Sequence, residues 1–370
     1  MSAPVATPTA AYDRLAELHA LDATTSGISG LVATGLTEIP RIFRVPDPTP
    51  QHEAAAMAAD DEESATLPVI DLAMADHAAL VKAIGLAASE WGFFQVINHG
   101  VPAEVVSGTV DGTKAFHEST GGEGTEKARL YTRDLARKVK YNCNHDLYKS
   151  KVASWRDTLQ LTMAPEPPAP AELPEQCRDI LLEYSKEMTK LMHTLFGLLS
   201  EALGLNSSYL TDIECNKGQV ITCHYYPPCP KPELAMGLGM HSDSSFMTVV
   251  FQDQVGGLQV LNNNKWIEAK PIPGAFIVNI GDLLQIVSND KFQSVKHKVV
   301  LKKTTAPRVS IACFASHPTS KRKYGPIKEL LSAENPGLYR EITAGEYFAL
   351  QHSSAIDSYK NKALEKLRCL

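Results

Sequence analysis

The chain has 370 residues and carries 36 basic against 42 acidic side chains, a net charge of −6. That length can bury a sizeable core as one large or two fused units. The mild acidity and the lack of a basic stripe exclude nucleic acid as the expected partner and favour a small molecule. Seven cysteines (Cys143, Cys177, Cys215, Cys223, Cys229, Cys313 and Cys369) form no Cys-Xaa-Xaa-Cys pair. With no secretory stretch and no transit-peptide bias at the amino terminus, they read as reduced thiols of a cytoplasmic protein. No apolar run is long enough to span a membrane, so no membrane partner is expected.

In chain order, roughly the first ten residues are small and polar and read as disordered, and a helix is predicted over 11–21. A stretch punctuated by Gly and Pro runs to Phe43. From Val45 to Thr66 the chain turns to Pro, Ala and acid, including Asp60-Asp61-Glu62-Glu63, which is too poor in apolar residues to pack and reads as a solvated linker. Helical spacing returns over 74–90. The Pro-rich run 165–170 cannot continue a helix or a central strand and reads as a loop between two halves. Beyond it, 176–203 carries a long apolar stripe (Ile180, Leu181, Met188, Leu191, Met192, Leu195, Leu198, Leu199, Leu203), which predicts a core-facing helix. Strand signals dominate from Gln219 to Phe314, and helix returns over 344–370. The fold expected is mainly β with flanking helices: a double-stranded β-helix, or jelly roll, backed by a long helix and enclosing a pocket between its sheets.

The chemistry-bearing residues concentrate in the last third. His241 and Asp243, two apart, project to the same side if their segment is extended. The following run, Phe246 to Phe251, is rich in β-branched and aromatic residues and predicts a strand. Residues 294–300 alternate as a half-buried strand and offer His297 as a third ligand. Two imidazoles and one carboxylate are the set that holds iron(II) on one face in non-haem oxygenases. Taken alone, a His-Xaa-Asp triplet reads as a solvated turn before a strand. Arg308 and Ser310 share one face of another predicted strand, and the guanidinium fork suits the distal carboxylate of a dicarboxylate co-substrate.

Seven ordered blocks from Gln219 to Ser316 closely resemble the catalytic domain of plant 2-oxoglutarate- and iron(II)-dependent dioxygenases. They are Tyr225-Tyr226-Pro227-Pro228-Cys229-Pro230, His241-Ser242-Asp243, Gly256 to Val260, Pro273 to Asp282, Ser288-Asn289-Asp290, His297 and Arg308-Val309-Ser310. Leu67 to Leu72 and Trp91 to Val101 look like that family's first two strand segments. Residues 18–22, 27–32 and 39–43, with Trp155-Arg156-Asp157-Thr158-Leu159, are similar to the branch labelled homologues of 1-aminocyclopropane-1-carboxylate oxidase. That label reflects sequence likeness, and ethylene formation is not inferred from it.

The resemblance implies that His241, Asp243 and His297 hold Fe(2+), and that Arg308, Ser310 and Tyr226 hold 2-oxoglutarate. With O2 as the second co-substrate and ascorbate as reductant, it implies hydroxylation or oxidative dealkylation of a small specialised plant metabolite, aromatic or indolic. Succinate and carbon dioxide would leave by way of a ferryl intermediate. Many relatives carry Asn at the position of His224, which shares a strand face with Tyr226 and can replace the amide as a donor. Tyr141, Asn142, Asn144, Phe314 and Ser316 are candidates for the substrate pocket, whereas His99, His145, His193 and His317 read as structural or surface residues. The expected division is 1–66 (helix and linker), 67–170 (N-terminal dioxygenase region), 171–215 (backing helix), 216–317 (jelly roll) and 318–370 (helical tail), acting as a monomer. Two other readings of the same residues are an iron and ascorbate oxidase that does not use 2-oxoglutarate, and a non-catalytic binding jelly roll.

Overall fold

A computed structural model describes residues 12–46, 66–352 and 362–369. The expectations for the first ten residues, for most of the linker and for part of the last helix fall outside that set. The strands that build the site are β1 (Val69–Asp71), β2 (Phe93–Ile97), β3 (Val139–Cys143), β4 (Asp157–Ala164), β5 (Gln219–Tyr226) and β6 (Leu238–His241). They continue with β7 (Met247–Gln252), β8 (Leu258–Asn262), β9 (Lys265–Glu268), β10 (Phe276–Ile280), β11 (His297–Val299) and β12 (Arg308–Ala315). A large sheet runs in the order β1-β2-β10-β7-β12-β5-β4-β3, and a small one β6-β11-β8-β9. Only the β1–β2 pairing at the edge of the large sheet is parallel; the other ladders of both sheets are antiparallel.

Period-two alternation divides the large sheet into two faces with separate tasks. Its back face (Phe94, Val96, Leu159, Leu161, Ile221, Cys223, Val249, Val278, Ile311) packs in one core with the helix Arg178–Ala202. That helix buries the predicted stripe: Leu181, Met188, Leu195 and Leu199 are fully buried. Each such side chain stabilises the fold by roughly 1.5–3 kcal/mol relative to exposure. The front face meets the small sheet through a smaller cluster that includes Phe93, Tyr226, Ile277, Leu258, Val260 and Val299. The site lies in this inter-sheet space.

Two predicted elements are shorter than their sequence signal. Helix over 74–90 is realised as His77–Leu86, started by Asp76, whose side chain accepts from the Ala79 N–H. It then widens into a π turn, Ala87–Trp91, that stops at Gly92 with φ +62°. A Cβ there would collide with the Gln293 carbonyl, so only glycine lets the helix turn straight into β2. The strand predicted over 294–300 contracts to His297–Val299, because the Ser294 N–H is taken by the Gln285 side chain (2.7 Å) and the register shifts within the β11–β6 ladder.

Candidate metal centre and co-substrate clamp

His241 is the last residue of β6, and His297 opens β11 directly opposite it in the ladder, so the small sheet brings the two imidazoles together. Their ring centroids are 4.1 Å apart. Asp243 lies just past the strand end and not, as the spacing argument supposed, on a continuous strand; the loop still turns its carboxylate toward both rings. Its Oδ1 is 3.6 Å from the Nε2 of His241 and 3.6 Å from that of His297. The three ligand-type atoms lie within 4.8 Å of one another.

The surrounding hydrogen bonds select the form that a metal needs. His241 Nδ1 donates to the Gly239 carbonyl (2.9 Å) and His297 Nδ1 to the Val295 carbonyl (3.2 Å), which leaves both Nε2 lone pairs free. Asp243 Oδ2 accepts from Thr248 Oγ1 (2.6 Å) and Asn279 Nδ2 (2.8 Å), so Oδ1 remains for the shared point. Burial pushes the His241 imidazolium down to about 3, with the neighbouring His297 acting the same way, and the ring is neutral at ordinary pH. Burial alone would raise Asp243, but the two imidazoles and the Thr248 and Asn279 donors outweigh it and keep the carboxylate ionised. Two ring nitrogens and a carboxylate oxygen converging on one point are the donor set of a divalent-cation site.

The loop between the ligands is fixed from behind. Ser242 Oγ donates to Asp282 Oδ2 (3.2 Å), which also accepts from Tyr347 Oη (2.7 Å). Gln351 Nε2, on the helix Ala344–His352, donates to the Ser242 carbonyl (2.7 Å). The Asp282 N–H bonds the Asp243 carbonyl (2.7 Å). None of these supports was predicted as functional. Thr248 and Asn279 lay within quoted motifs, and their place on the metal-facing side of β7 and β10 was the signal available.

Across the pocket, β12 and β5 pair Arg308 with Tyr226 and Ser310 with His224. The Arg308 guanidinium is buried, donates to Ser310 Oγ (2.9 Å), Gln252 Oε1 (3.2 Å) and the Gly256 carbonyl, and lies 4.8 Å over the Tyr226 ring. All its acceptors are neutral. Tyr226 Oη is sealed from solvent with no hydrogen-bond partner. A dry cation without an anion and an orphaned hydroxyl beside it both fit an incoming carboxylate.

His224 sits in a cross-strand row Asn142–Thr158–His224–Ser310–Gln252 that spans β3, β4, β5, β12 and β7. Its Nδ1 bonds Thr158 Oγ1 (3.0 Å), and burial, reinforced by Arg156, Arg308 and His241, holds it far below its ordinary range. A neutral ring fits the expected donor or acceptor beside the clamp. Of the pocket candidates, Asn142 belongs to this row and Phe314 lies on the same face. Tyr141 does not: it is fully buried on the back face, edge-on to Phe116, with its hydroxyl on the Ser26 carbonyl. Asn144 is spent in a two-way clamp with the Ser154 backbone (2.7 and 2.8 Å), and Ser316 follows β12, its N–H bonded to the Gly218 carbonyl. His99, expected to be structural, bonds the Gly274 carbonyl (2.7 Å) and the Val101 N–H.

Residues 217–317 match the 2OG-Fe(II) oxygenase superfamily, and residues 67–181 the N-terminal region named for a non-haem dioxygenase in morphine synthesis. Among Arabidopsis thaliana proteins, 1-aminocyclopropane-1-carboxylate oxidase homolog 1 is 48% identical, covering 94% of this chain and 95% of its own length. Homolog 4 is 46% identical, covering 94% and 97%. The crystal structure of JOX2 in complex with 2OG, Fe and JA superposes with a TM-score of 0.80 at 30% identity, covering 93% of this chain and 98% of that one. The dioxygenase for auxin oxidation of rice gives 0.66 at 26% identity over 82% and 100%.

Proposed function

The chain belongs to the 2OG-Fe(II) oxygenase superfamily, and from that premise we propose that it hydroxylates, or dealkylates by hydroxylation, a small specialised plant metabolite. It is an iron(II)- and 2-oxoglutarate-dependent dioxygenase. Bound iron(II), with 2-oxoglutarate and O2, supplies the oxidising chemistry, one oxygen atom passing to the substrate and the other to succinate as carbon dioxide leaves. The chain's own residues bind and orient. His241, Asp243 and His297 would hold the ion. Arg308, Ser310 and Tyr226 would fix the far carboxylate of the keto acid, and His224 would offer Nε2 alongside. Ascorbate would serve as reductant.

The single observation that carries this reading is the convergence of three ligand atoms within 4.8 Å in the same inter-sheet space as a buried arginine whose acceptors are all neutral. Solved structures of this fold include a dioxygenase for auxin oxidation and a complex with JA, which supports an aromatic, indolic or similarly small substrate. The jelly-roll unit over 216–317 carries every proposed metal and clamp residue, and we take the enzyme as a cytoplasmic monomer. Six buried, unpaired cysteines fit a reducing compartment. The test is a metabolite screen for substrate-dependent succinate release with iron(II), ascorbate and 2-oxoglutarate, with the product's oxidised carbon located by mass spectrometry. His241→Ala should abolish that release, and retained turnover in this variant would refute the metal assignment.

A further inference from the structure

A second buried cation stands beside the metal centre. Arg156 lies one residue ahead of β4, where Ser154 bridges Met236 and the Trp155 N–H donates to the Met236 carbonyl (2.7 Å), just before β6 and His241. Its neighbours are fixed on the other side: Trp155 Nε1 donates to the Pro227 carbonyl (3.0 Å), and the Asp157 carboxylate accepts the Ile28 and Ser29 N–H groups (2.8 and 2.7 Å). With Asp157, the first residue of β4, turned away, the residue before it, Arg156, falls on the side of Thr158 and Gln160, toward the pocket.

Arg156 is 3% exposed, and its Nε is sealed from solvent with no acceptor. Among the described residues its guanidinium makes no hydrogen bond and no ion pair. Its charge reaches His224, His241 and Asp146. Asp146 is a half-buried loop carboxylate engaged by Ser150, and it forms no ion pair with Arg156. Holding an unpaired guanidinium at 3% exposure, with its Nε sealed and without an acceptor, is costly unless an anion arrives. The co-substrate does not supply that anion, because iron(II), Arg308, Asp243 and the 2-oxoglutarate dianion already cancel in formal charge. Arg156 stands outside that set, and Asp146, the carboxylate its charge reaches, makes no ion pair with it. The row next to it along β4 is polar (Asn142, Thr158 and His224), and one row further lie Lys140, Gln160 and Thr222, whose Oγ1 is also buried without a partner.

We propose that Arg156 binds a carboxylate of the substrate, so that this enzyme acts on a small carboxylic acid and not on its neutral ester or amide. The assignment rests on the dioxygenase reading above and narrows its substrate class. A guanidinium fork matches a carboxylate in two parallel hydrogen bonds, and from its place by β6 it would hold the acid end while the rest of the molecule reaches toward His241.

The test uses the full chain loaded with Mn(II) in place of iron and saturated with 2-oxoglutarate, so that Arg308 is occupied. Phenylacetate, indole-3-acetate and cinnamate are titrated against their carboxamides, with binding read by calorimetry and thermal shift. At least one carboxylate should bind the wild type tenfold or more tightly than its amide. Arg156→Gln should remove that preference, and Arg156→Lys should keep part of it. Without ligand, Arg156→Gln should melt at or above the wild-type temperature, because it removes an unpaired buried charge; a lower melting temperature would mark Arg156 as structural and overturn the proposal. Equal binding of acid and amide, a preference that survives in Arg156→Gln, or no binding of any probe would also overturn it. Failure of 2-oxoglutarate itself to bind the Mn(II)-loaded wild type would sink the dioxygenase reading and this assignment together, whereas tight 2-oxoglutarate binding with no carboxylate preference removes only the role of Arg156.

Discussion

Thr248→Val isolates one support of the proposed metal centre with almost no change of shape. Thr248 is 1% exposed on β7, and its hydroxyl donates to Asp243 Oδ2 at 2.6 Å while Asn279 donates to the same oxygen at 2.8 Å. A hydrogen bond to a charged group contributes about 1.5–3 kcal/mol. At about 1.4 kcal/mol per factor of ten, its loss corresponds to a roughly 10–100-fold weaker metal site, the same range seen when groups that orient metal ligands are removed. Asn279 remains, so Oδ1 should still face the two imidazoles and the lower end of the range is expected. Ser245 Oγ, 3.1 Å from the Thr248 hydroxyl, also loses a partner and adds a small stability cost. The assay is Mn(II) affinity by calorimetry on the metal-free protein, with Thr248→Ser as the rescue. Mn(II) binding within twofold of wild type in Thr248→Val, with the fold intact, would refute the claim that this bond aims the carboxylate.

Three further outcomes follow from single contacts. Tyr226→Phe removes a hydroxyl that has no partner in the ligand-free protein, so it should leave thermal stability equal or higher by about 1 kcal/mol while weakening 2-oxoglutarate binding severalfold; a parallel loss of both would place the hydroxyl in the fold instead of the clamp. His117 is buried against Tyr225 and pushed down to about 3 by burial, against an ordinary value of 6.5. Its stabilising effect is therefore whole above pH ~6.5 and lost as pH falls toward 3. By pH 5 the unfolded state's proton uptake costs roughly 2 kcal/mol, and that part of the pH slope in urea unfolding should be missing from His117→Phe. Leu195→Ala, at the fully buried centre of the backing helix, should cost about 2–5 kcal/mol in the same assay and leave the 2-oxoglutarate affinity of the folded fraction unchanged.

The parts of the site legible in sequence were those whose spacing equals a strand period. Arg308 and Ser310 share a face because they are two apart on one strand, and the structure joins them by a hydrogen bond of 2.9 Å. The apolar stripe of the backing helix was legible for the same reason at period 3.6. Asp243 was placed on a strand that in fact ends at His241, because nothing local marks where a ladder stops pairing. Tyr141 was assigned to the pocket and Asn142 with it, yet neighbours on a strand point to opposite faces, and which face met the pocket depended on β3 pairing with β4 in one particular register. Gln351 and Tyr347 were invisible as supports because they reach the His241–Asp243 loop from more than a hundred residues away in one case and bind Asp282 in the other.

The two sheets divide the work in a way that explains why so little of it is local. His241 and His297 belong to the small sheet, whereas the residues that hold Asp243 (Thr248 and Asn279) and those that line the clamp (Tyr226, Arg308, Ser310, Gln252) all belong to the large one. An ion held by all three ligands would therefore tie one sheet to the other across the inter-sheet cluster of Phe93, Tyr226, Leu258, Val260 and Val299. Phe93 touches both tasks: it packs in that cluster and its ring lies edge-on to His297 at 5.0 Å. Because packed interiors do not deform smoothly, the spacing of the sheets is fixed by this apolar contact before any ion arrives. The ligand geometry is thus a consequence of core packing, and under the assignment proposed above the choice of substrate would fall to Arg156, one residue ahead of β4.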